Sequence, residues 1–247
     1  MAQILRTADL FKFHPGGERT APVLKQVTLQ VDEGEFVCVM GPSGSGKSTL
    51  LHLVSGLDEP QSGAIWLRGK ELDKLTEHER TLLRRDTIGH VFQFFNLLPN
   101  LTVIENVGLP LAIAGKRPAL EEPYLRSLLS RVGLDGKADS FPHQLSGGEM
   151  QRTSIARAVA GGQPLLLADE PTGNLSQRAG LEIMQLLRRV CDEDRRAVLL
   201  VTHNPRDATF ADRVLFLVDG ELDRTQALAG PGLTVEQVHG ALAELRI

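Results

Sequence analysis

Gly41-Pro-Ser-Gly-Ser-Gly-Lys-Ser-Thr49 stands between two apolar runs, Phe36-Val-Cys-Val-Met40 before it and Leu50-Leu-His-Leu-Val54 after it. The first run is short and partly β-branched, as a buried strand is. The second continues without a breaker until Gly56, so the stretch reads as strand, glycine loop, helix. Gly41, Gly44 and Gly46 let the backbone turn its N–H groups inward around a phosphate chain, and the helix start beyond them adds partial positive charge. In that arrangement Lys47 reaches the β- and γ-phosphates and Ser48 ligates Mg²⁺, while Pro42, Ser43, Ser45 and Thr49 complete the loop. A chance glycine-rich turn is the competing reading, and the strand and helix on either side weigh against it.

The chain around this loop has 247 residues, 42% hydrophobic and 23% charged, enough for one large α/β domain or a core with a subdomain. Its longest apolar runs, residues 165–168, 198–201 and 214–218, are strand-length and far short of the roughly 20 residues that span a bilayer. Residues 1–6 lack the basic-then-apolar layout of a secretory signal, so a cytoplasmic protein is expected. Cys38 and Cys191 give neither a metal spacing nor a disulfide framework. A net charge of −4 with mixed signs argues against broad electrostatic binding to nucleic acid.

Residues 4–31 contain short alternating segments broken by His14-Pro-Gly-Gly17 and Asp32-Glu-Gly34, the pattern of an antiparallel sheet flanking the core. Phe11, Phe13 and His14 offer a flat face for an adenine ring, and the two phenylalanines read equally well as ordinary core. Residues 63–68 read as a strand, residues 76–84 as a helix capped by Thr76, and residues 87–92 as a strand that delivers Gln93. The Gln93 amide both donates and accepts, so it suits either Mg²⁺ or an attacking water. Phe94, Phe95, Leu97, Leu98, Pro99 and Leu101 follow as an apolar cluster. Two adjacent phenylalanines do not share one face of a regular element, so the cluster reads partly as helical core and partly as a docking groove.

Residues 104–141 are expected to be helical, with breaks at Pro118 and Pro123 and an end at Gly133 and Gly136. Ser146, Gly147, Gly148 and Glu149 then open another helix, a second phosphate-ready cap that suggests a composite site closed by another subunit, a plain N-cap being the alternative. Residues 163–171 form an apolar strand ending in Asp169 and Glu170, where an open α/β sheet places its site: Asp169 suits the Mg²⁺ shell, and Glu170 polarises water. Residues 198–203 form another strand, and its terminal His203 either touches the γ-phosphate or orients Glu170. Asp219-Gly220 signals a hairpin, and Thr234-Val-Glu-Gln237 a capped terminal helix.

In this order and spacing, the 41–49 loop, Gln93, Leu145-Ser-Gly-Gly-Glu149, residues 165–170 and His203 resemble the ATP-binding subunits of ABC transporters over nearly the whole chain. Residues 91–106 and 168–175 look like the branch of lipoprotein-releasing, macrolide-exporting and cell-division ATPases. The resemblance implies a P-loop NTPase (RecA-like) α/β core with an antiparallel β subdomain and an inserted helical subdomain. On that pattern the core spans 1–88 and 156–230, the helical part 89–155, and a C-terminal helix 231–247. It further implies a homodimer or heterodimer around two ATP with Mg²⁺, Ser146 and Gly148 of one copy facing Lys47 of the other. The dimer sits on the cytoplasmic face of a membrane and drives a permease that docks near Phe94, Phe95 and Leu98. Glu170 acts as base, His203 orients, and Lys47 and Gln93 complete the catalytic set, for export of a lipid-linked, peptide or drug cargo or for mechanical signalling. The alternatives are a soluble relative acting on ribosomes or DNA and a catalytically silent partner. The chain departs from the family at Ser176, where aspartate is usual, and at His14, where tyrosine is common.

Overall fold

The computed structural model describes residues 2–13, 22–230 and 232–246. His14, one of the three residues offered for adenine stacking, lies outside the described residues.

The chain begins with β1 (Gln3–Phe13), β2 (Pro22–Val27) and β3 (Gln30–Asp32), then enters the core through β4 (Phe36–Met40) and α1 (Lys47–Val54). It returns outward for β5 (Ser62–Leu67) and β6 (Lys70–Glu71). β1 runs antiparallel to β2, β3 and β5, and β6 pairs with β5. This is the flanking sheet expected from the alternation over residues 4–31.

The second half of the chain builds the core sheet and its helices. α2 (Glu77–Thr87), β7 (Ile88–Val91), α3 (Val103–Ile113), α4 (Glu122–Arg131) and α5 (Gly147–Ala160) lead to β8 (Leu165–Asp169). Then come α6 (Gln177–Asp194), β9 (Ala197–Thr202), α7 (Pro205–Ala208), β10 (Arg213–Val218), β11 (Glu221–Ala229) and α8 (Val235–Glu244). The core sheet has the order β11-β10-β4-β9-β8-β7, parallel throughout except for β11, which closes a hairpin onto β10.

The two-residue period of the central strands divides the interior. Phe36, Cys38, Met40, Leu166, Ala168, Val198 and Leu200 face a cluster that includes Val107, Leu125, Leu128, Ile155 and Leu187 from the helical layer. Val37, Val39, Leu165, Leu167, Leu199 and Val201 face the other way, onto α1 and the antiparallel sheet. The core sheet is therefore covered on both faces, as near-continuous apolar strands require.

Local chemistry sets the helix starts. Thr76, Thr102, Ser146 and Thr234 each close a capping box with the residue three positions on: Glu79, Glu105, Glu149 and Gln237. Two details differ from the sequence expectation. Pro123 stands in the first turn of α4, where its missing N–H costs nothing, and so opens the helix instead of breaking it. The helix stops at Arg131, followed by left-handed Gly133 and Gly136, and the chain up to 141 is turns, not helix.

The expected subdomain boundaries also shift. β7 pairs with β8 from Ile88↔Leu165 to Val91↔Ala168, so residues 89–91 belong to the core sheet. α5 runs unbroken across position 155. A Cβ on Gly89 would lie 2.1 Å from the Ala158 carbonyl, so glycine lets α5 lie directly on β7. Among the described residues, no helix is long and apolar enough to cross a membrane.

Candidate nucleotide site

β4, β7, β8 and β9 are parallel neighbours or near neighbours, so the loops leaving them emerge at one edge of the sheet. Those loops carry residues 41–46, Gln93, Glu170 and His203. The glycine loop is shaped by two close approaches. A Cβ on Gly41 would sit 2.2 Å from the Leu217 carbonyl, and Gly46 has φ +105° with Leu24 Cδ2 2.7 Å from its Cβ position. Side chains at either place would push the loop off the sheet.

Lys47 opens α1 and is buried, its Nζ donating to the carbonyls of Gly41 at 2.8 Å and Pro42 at 2.9 Å. Burial lowers its pKa, and the carboxylates of Glu170 and Asp169 oppose that shift. Ser48 Oγ donates to Asp169 Oδ1 at 3.3 Å, and burial raises the Asp169 pKa against this bond. Glu170 Oε1 lies 4.0 Å from Lys47 Nζ, and Glu170 Oε2 lies 2.5 Å from His203 Nδ1. A carboxylate only accepts, so Nδ1 carries the shared hydrogen. Glu170 also holds φ +45°, a left-handed backbone that a non-glycine residue adopts at a cost of about 1–3 kcal/mol and that clusters at functional sites.

Gln93 is brought to the Glu170 loop from the side. Its Nε2 lies 2.9 Å from where a Cβ on Gly173 would be, and its main-chain carbonyl accepts from Asn174 Nδ2 at 3.1 Å. The structure thus joins Lys47, Ser48, Asp169, Glu170 and His203 directly and sets Gln93 against residues 173–174.

Ser146, Gly147, Gly148 and Glu149 lie elsewhere. Ser146 Oγ donates to Glu149 Oε2 at 2.8 Å and accepts from Glu149 N at 3.3 Å, and the bonds from Ser146 hold the Glu149 pKa down to about 2. The Cβ positions of Gly147 and Gly148 face Leu175, Phe95, Ala179 and Arg152, and none faces residues 41–49. Ser176 caps α6 by accepting from Ala179 N at 3.4 Å, so serine keeps the capping role available to aspartate while leaving the position neutral. Phe13 ends β1, with its N–H donating to Gln61 Oε1 at 3.0 Å.

The apolar cluster after Gln93 is held open by two polar anchors. Phe95 and Asn96 have φ +61° and +49°, and Arg157 donates to both their carbonyls. Asn106, fully buried, accepts from Leu98 N and donates to the carbonyls of Leu98, Leu101 and Thr102. Phe94 is left 72% exposed and Leu98 47%, beside a groove of about 390 Å³ lined by Ile88, His90, Phe92, Leu109, Ile113 and Arg157 among others.

The profile of the ABC transporter family matches residues 24–173. A relative described as an uncharacterized ABC transporter ATP-binding protein, MJ0796 of Methanocaldococcus jannaschii, is 45% identical over 232 residues, covering 92% of this chain and 98% of its own. The chain belongs to the ABC transporter family. It is an ATPase cassette of that family, with the P-loop α/β core, antiparallel β subdomain and helical insert described above. The dimeric post-hydrolysis structure of the MJ0796 cassette, bound to ADP and Pi, matches it with a TM-score of 0.83 at 41% identity, covering 92% of this chain and all of that one. Two further relatives fall in the branch suggested by residues 91–106 and 168–175. The lipoprotein-releasing system ATP-binding protein LolD 2 of Caulobacter vibrioides is 47% identical over 202 residues, 82% of this chain and 89% of its own. The macrolide export ATP-binding/permease protein MacB of Mannheimia succiniciproducens is 41% identical over 224 residues, 90% of this chain and 35% of its own.

The cassette's own atoms fit a magnesium nucleotide. Ser45 Oγ is buried in the loop without a hydrogen-bond partner, the Lys47 ammonium is buried at the helix start, and Ser48 with Asp169 offers the hard oxygen donors that Mg²⁺ takes. Sequence reading did not single out Asp207, a buried carboxylate behind His203. Its signal in the sequence is its place three residues after Asn204, in the first turn of α7.

Proposed function

We propose that this cassette works as one of a pair, two copies or a copy and a related subunit, enclosing two ATP and driving a membrane permease from the cytoplasmic face. The observation that carries the reading is the run of contacts from His203 through Glu170 to Lys47 at the edge of the parallel sheet. Glu170 takes the proton from a water as that water's oxygen attacks the γ-phosphorus and the bond to the β-phosphate oxygen breaks. His203 holds one oxygen of Glu170 in place, and Lys47 offsets charge gathering on the phosphates. Ser48 and Asp169, with Gln93 as a further donor, would hold Mg²⁺, which would supply charge neutralisation on the phosphate oxygens.

The separation of residues 146–149 from residues 41–49 within one chain favours pairing, because the capped start of α5 can then serve a second subunit's phosphates. Phe13 is the described candidate for contact with the base. Phe94, Phe95 and Leu98, on a loop propped by Arg157 and Asn106, form the surface for the permease. The kinship with LolD 2 and MacB supports extrusion of a lipid-linked, peptide or drug cargo, or mechanical work across the membrane.

Steady-state ATP hydrolysis by the full chain and by Glu170→Gln, with the mass of each in ATP and Mg²⁺, tests this. Turnover by the wild type, and its loss in a Glu170→Gln protein that runs as an ATP-bound dimer, is the expected result. Undiminished turnover in Glu170→Gln would remove Glu170 from the base role.

A further inference from the structure

Asp207 lies in α7, just past His203, and is only 4% exposed. Its Oδ2 accepts from Thr172 Oγ1 at 2.5 Å and from Thr202 Oγ1 at 3.5 Å, and its Oδ1 accepts from Asn204 Nδ2 at 3.1 Å. Thr172 is two residues past Glu170, and Thr202 and Asn204 flank His203. One carboxylate therefore grips the loops of both members of the Glu170–His203 pair.

We propose that Asp207 is a positioning residue for hydrolysis: it ties the 170–173 loop to the 202–204 loop and so fixes how Glu170 meets His203. The proposal rests on the reading of Glu170 as the base. Glu170 departs from β8 in a left-handed conformation that the surrounding structure must impose. The Thr172–Asp207 bond is one restraint, and the Glu170 N–H to Val201 carbonyl bond at 3.0 Å is another. A neutral side chain of the same size has fewer lone pairs to offer three donors, so the two loops would drift relative to each other. Nucleotide affinity, which depends on residues 41–49, would not change.

The surroundings make the grip depend on pH. The charged and titratable groups facing Asp207 are Glu170, His203 and the buried Cys38 thiol on β4. Burial, with Glu170 adding to it, raises the Asp207 pKa to about 6, while the hydroxyl bonds and His203 oppose the rise. Above that value the carboxylate accepts all three bonds. Below it the acid must donate one itself, and the set has to rearrange.

The test uses the full chain with Asp207→Asn, Thr172→Val and Glu170→Gln. The readouts are kcat and KM against pH, the Kd of Mg²⁺ with a non-hydrolysable ATP analogue, and amide exchange of residues 170–173 and 202–204. Asp207→Asn is expected to lower kcat about tenfold to a hundredfold near neutral pH and to flatten the acid limb near pH 6, with KM and the analogue Kd within about twofold. Both segments should exchange faster together, and Thr172→Val should reproduce the kcat loss without altering the Thr202 side. Wild-type kcat and pH profile in both variants, with Glu170→Gln inactive, would overturn the proposal, as would a parallel loss of analogue affinity. If Glu170→Gln still turns over, or the wild type does not, amide exchange decides: faster exchange in both segments supports the tie, and unchanged exchange removes it.

Discussion

His203 Nδ1 and Glu170 Oε2 stand 2.5 Å apart, which commits one carboxylate oxygen to the imidazole and leaves Oε1 facing Lys47 at 4.0 Å. The two substitutions that break this pair should therefore differ. Glu170→Gln removes the proton acceptor and should lower kcat by about 10²–10⁴, the range for losing a general base. His203→Ala removes only the orienting contact and should fall short of that loss while leaving analogue affinity intact. Steady-state kinetics of the two variants side by side is the check, and a larger loss in His203→Ala would reverse the assigned roles.

Gly41→Ala should damage fold and binding together. The added methyl would sit 2.2 Å from the Leu217 carbonyl, a backbone atom held in β10, so the loop must move. A stability loss of about 1–3 kcal/mol in urea denaturation is expected, with loss of analogue binding at concentrations that saturate the wild type.

Asn106→Ala should open the 94–101 loop. The side chain makes four bonds to backbone in a fully buried position; its removal takes the partner from the Leu98 N–H and the Leu101 carbonyl, while the Leu98 and Thr102 carbonyls keep the N–H groups of Leu101 and Asn106. A cost of about 2–4 kcal/mol follows from such desolvated orphans. Denaturant titration reads the cost, and proteolysis confined to residues 94–101 locates it.

The start of α5 should weaken in acid. The Glu149 pKa is depressed in the folded chain, so its contribution is present above the unfolded carboxylate value and is lost as pH falls towards about 2. Glu149→Gln should flatten that part of the stability profile, read by thermal melts between about pH 2 and 5.

Asp207 has the opposite sign. Its folded pKa of about 6 exceeds the unfolded value near 3.9, so the folded chain binds the proton more tightly and stability falls as pH rises from about 4 to 6. The melting temperature of the wild type relative to Asp207→Asn should therefore fall as pH rises from about 4.5 to 7.5, read by thermal melts of the two proteins side by side.

Most of the fold was legible because each signal was local. Residues 36–56 fixed a strand, a loop and a helix by run length and glycine placement, and Thr76, Ser146 and Thr234 marked helix starts that are capping boxes in the structure. Glu170 and His203 could be named because strand ends in a parallel sheet fall at one edge. What stayed hidden depends on three-dimensional closure. The 88/89 boundary fails because β7 pairs with a strand more than 70 residues later. The tie made by Asp207 stayed hidden because Thr172, its partner in the Glu170 loop, lies 35 residues earlier in the chain.

The order β10-β4-β9-β8-β7 places residues about 160 positions apart in sequence side by side at one edge. No contiguous fragment of the chain brings Lys47, Glu170 and His203 together, so the site exists only once the central strands have closed in register. Such non-local closure is slow, because distant segments must meet before any contact rewards them. Nucleotide added during refolding should then leave the early rate unchanged and act afterwards, by holding the finished sheet against reopening.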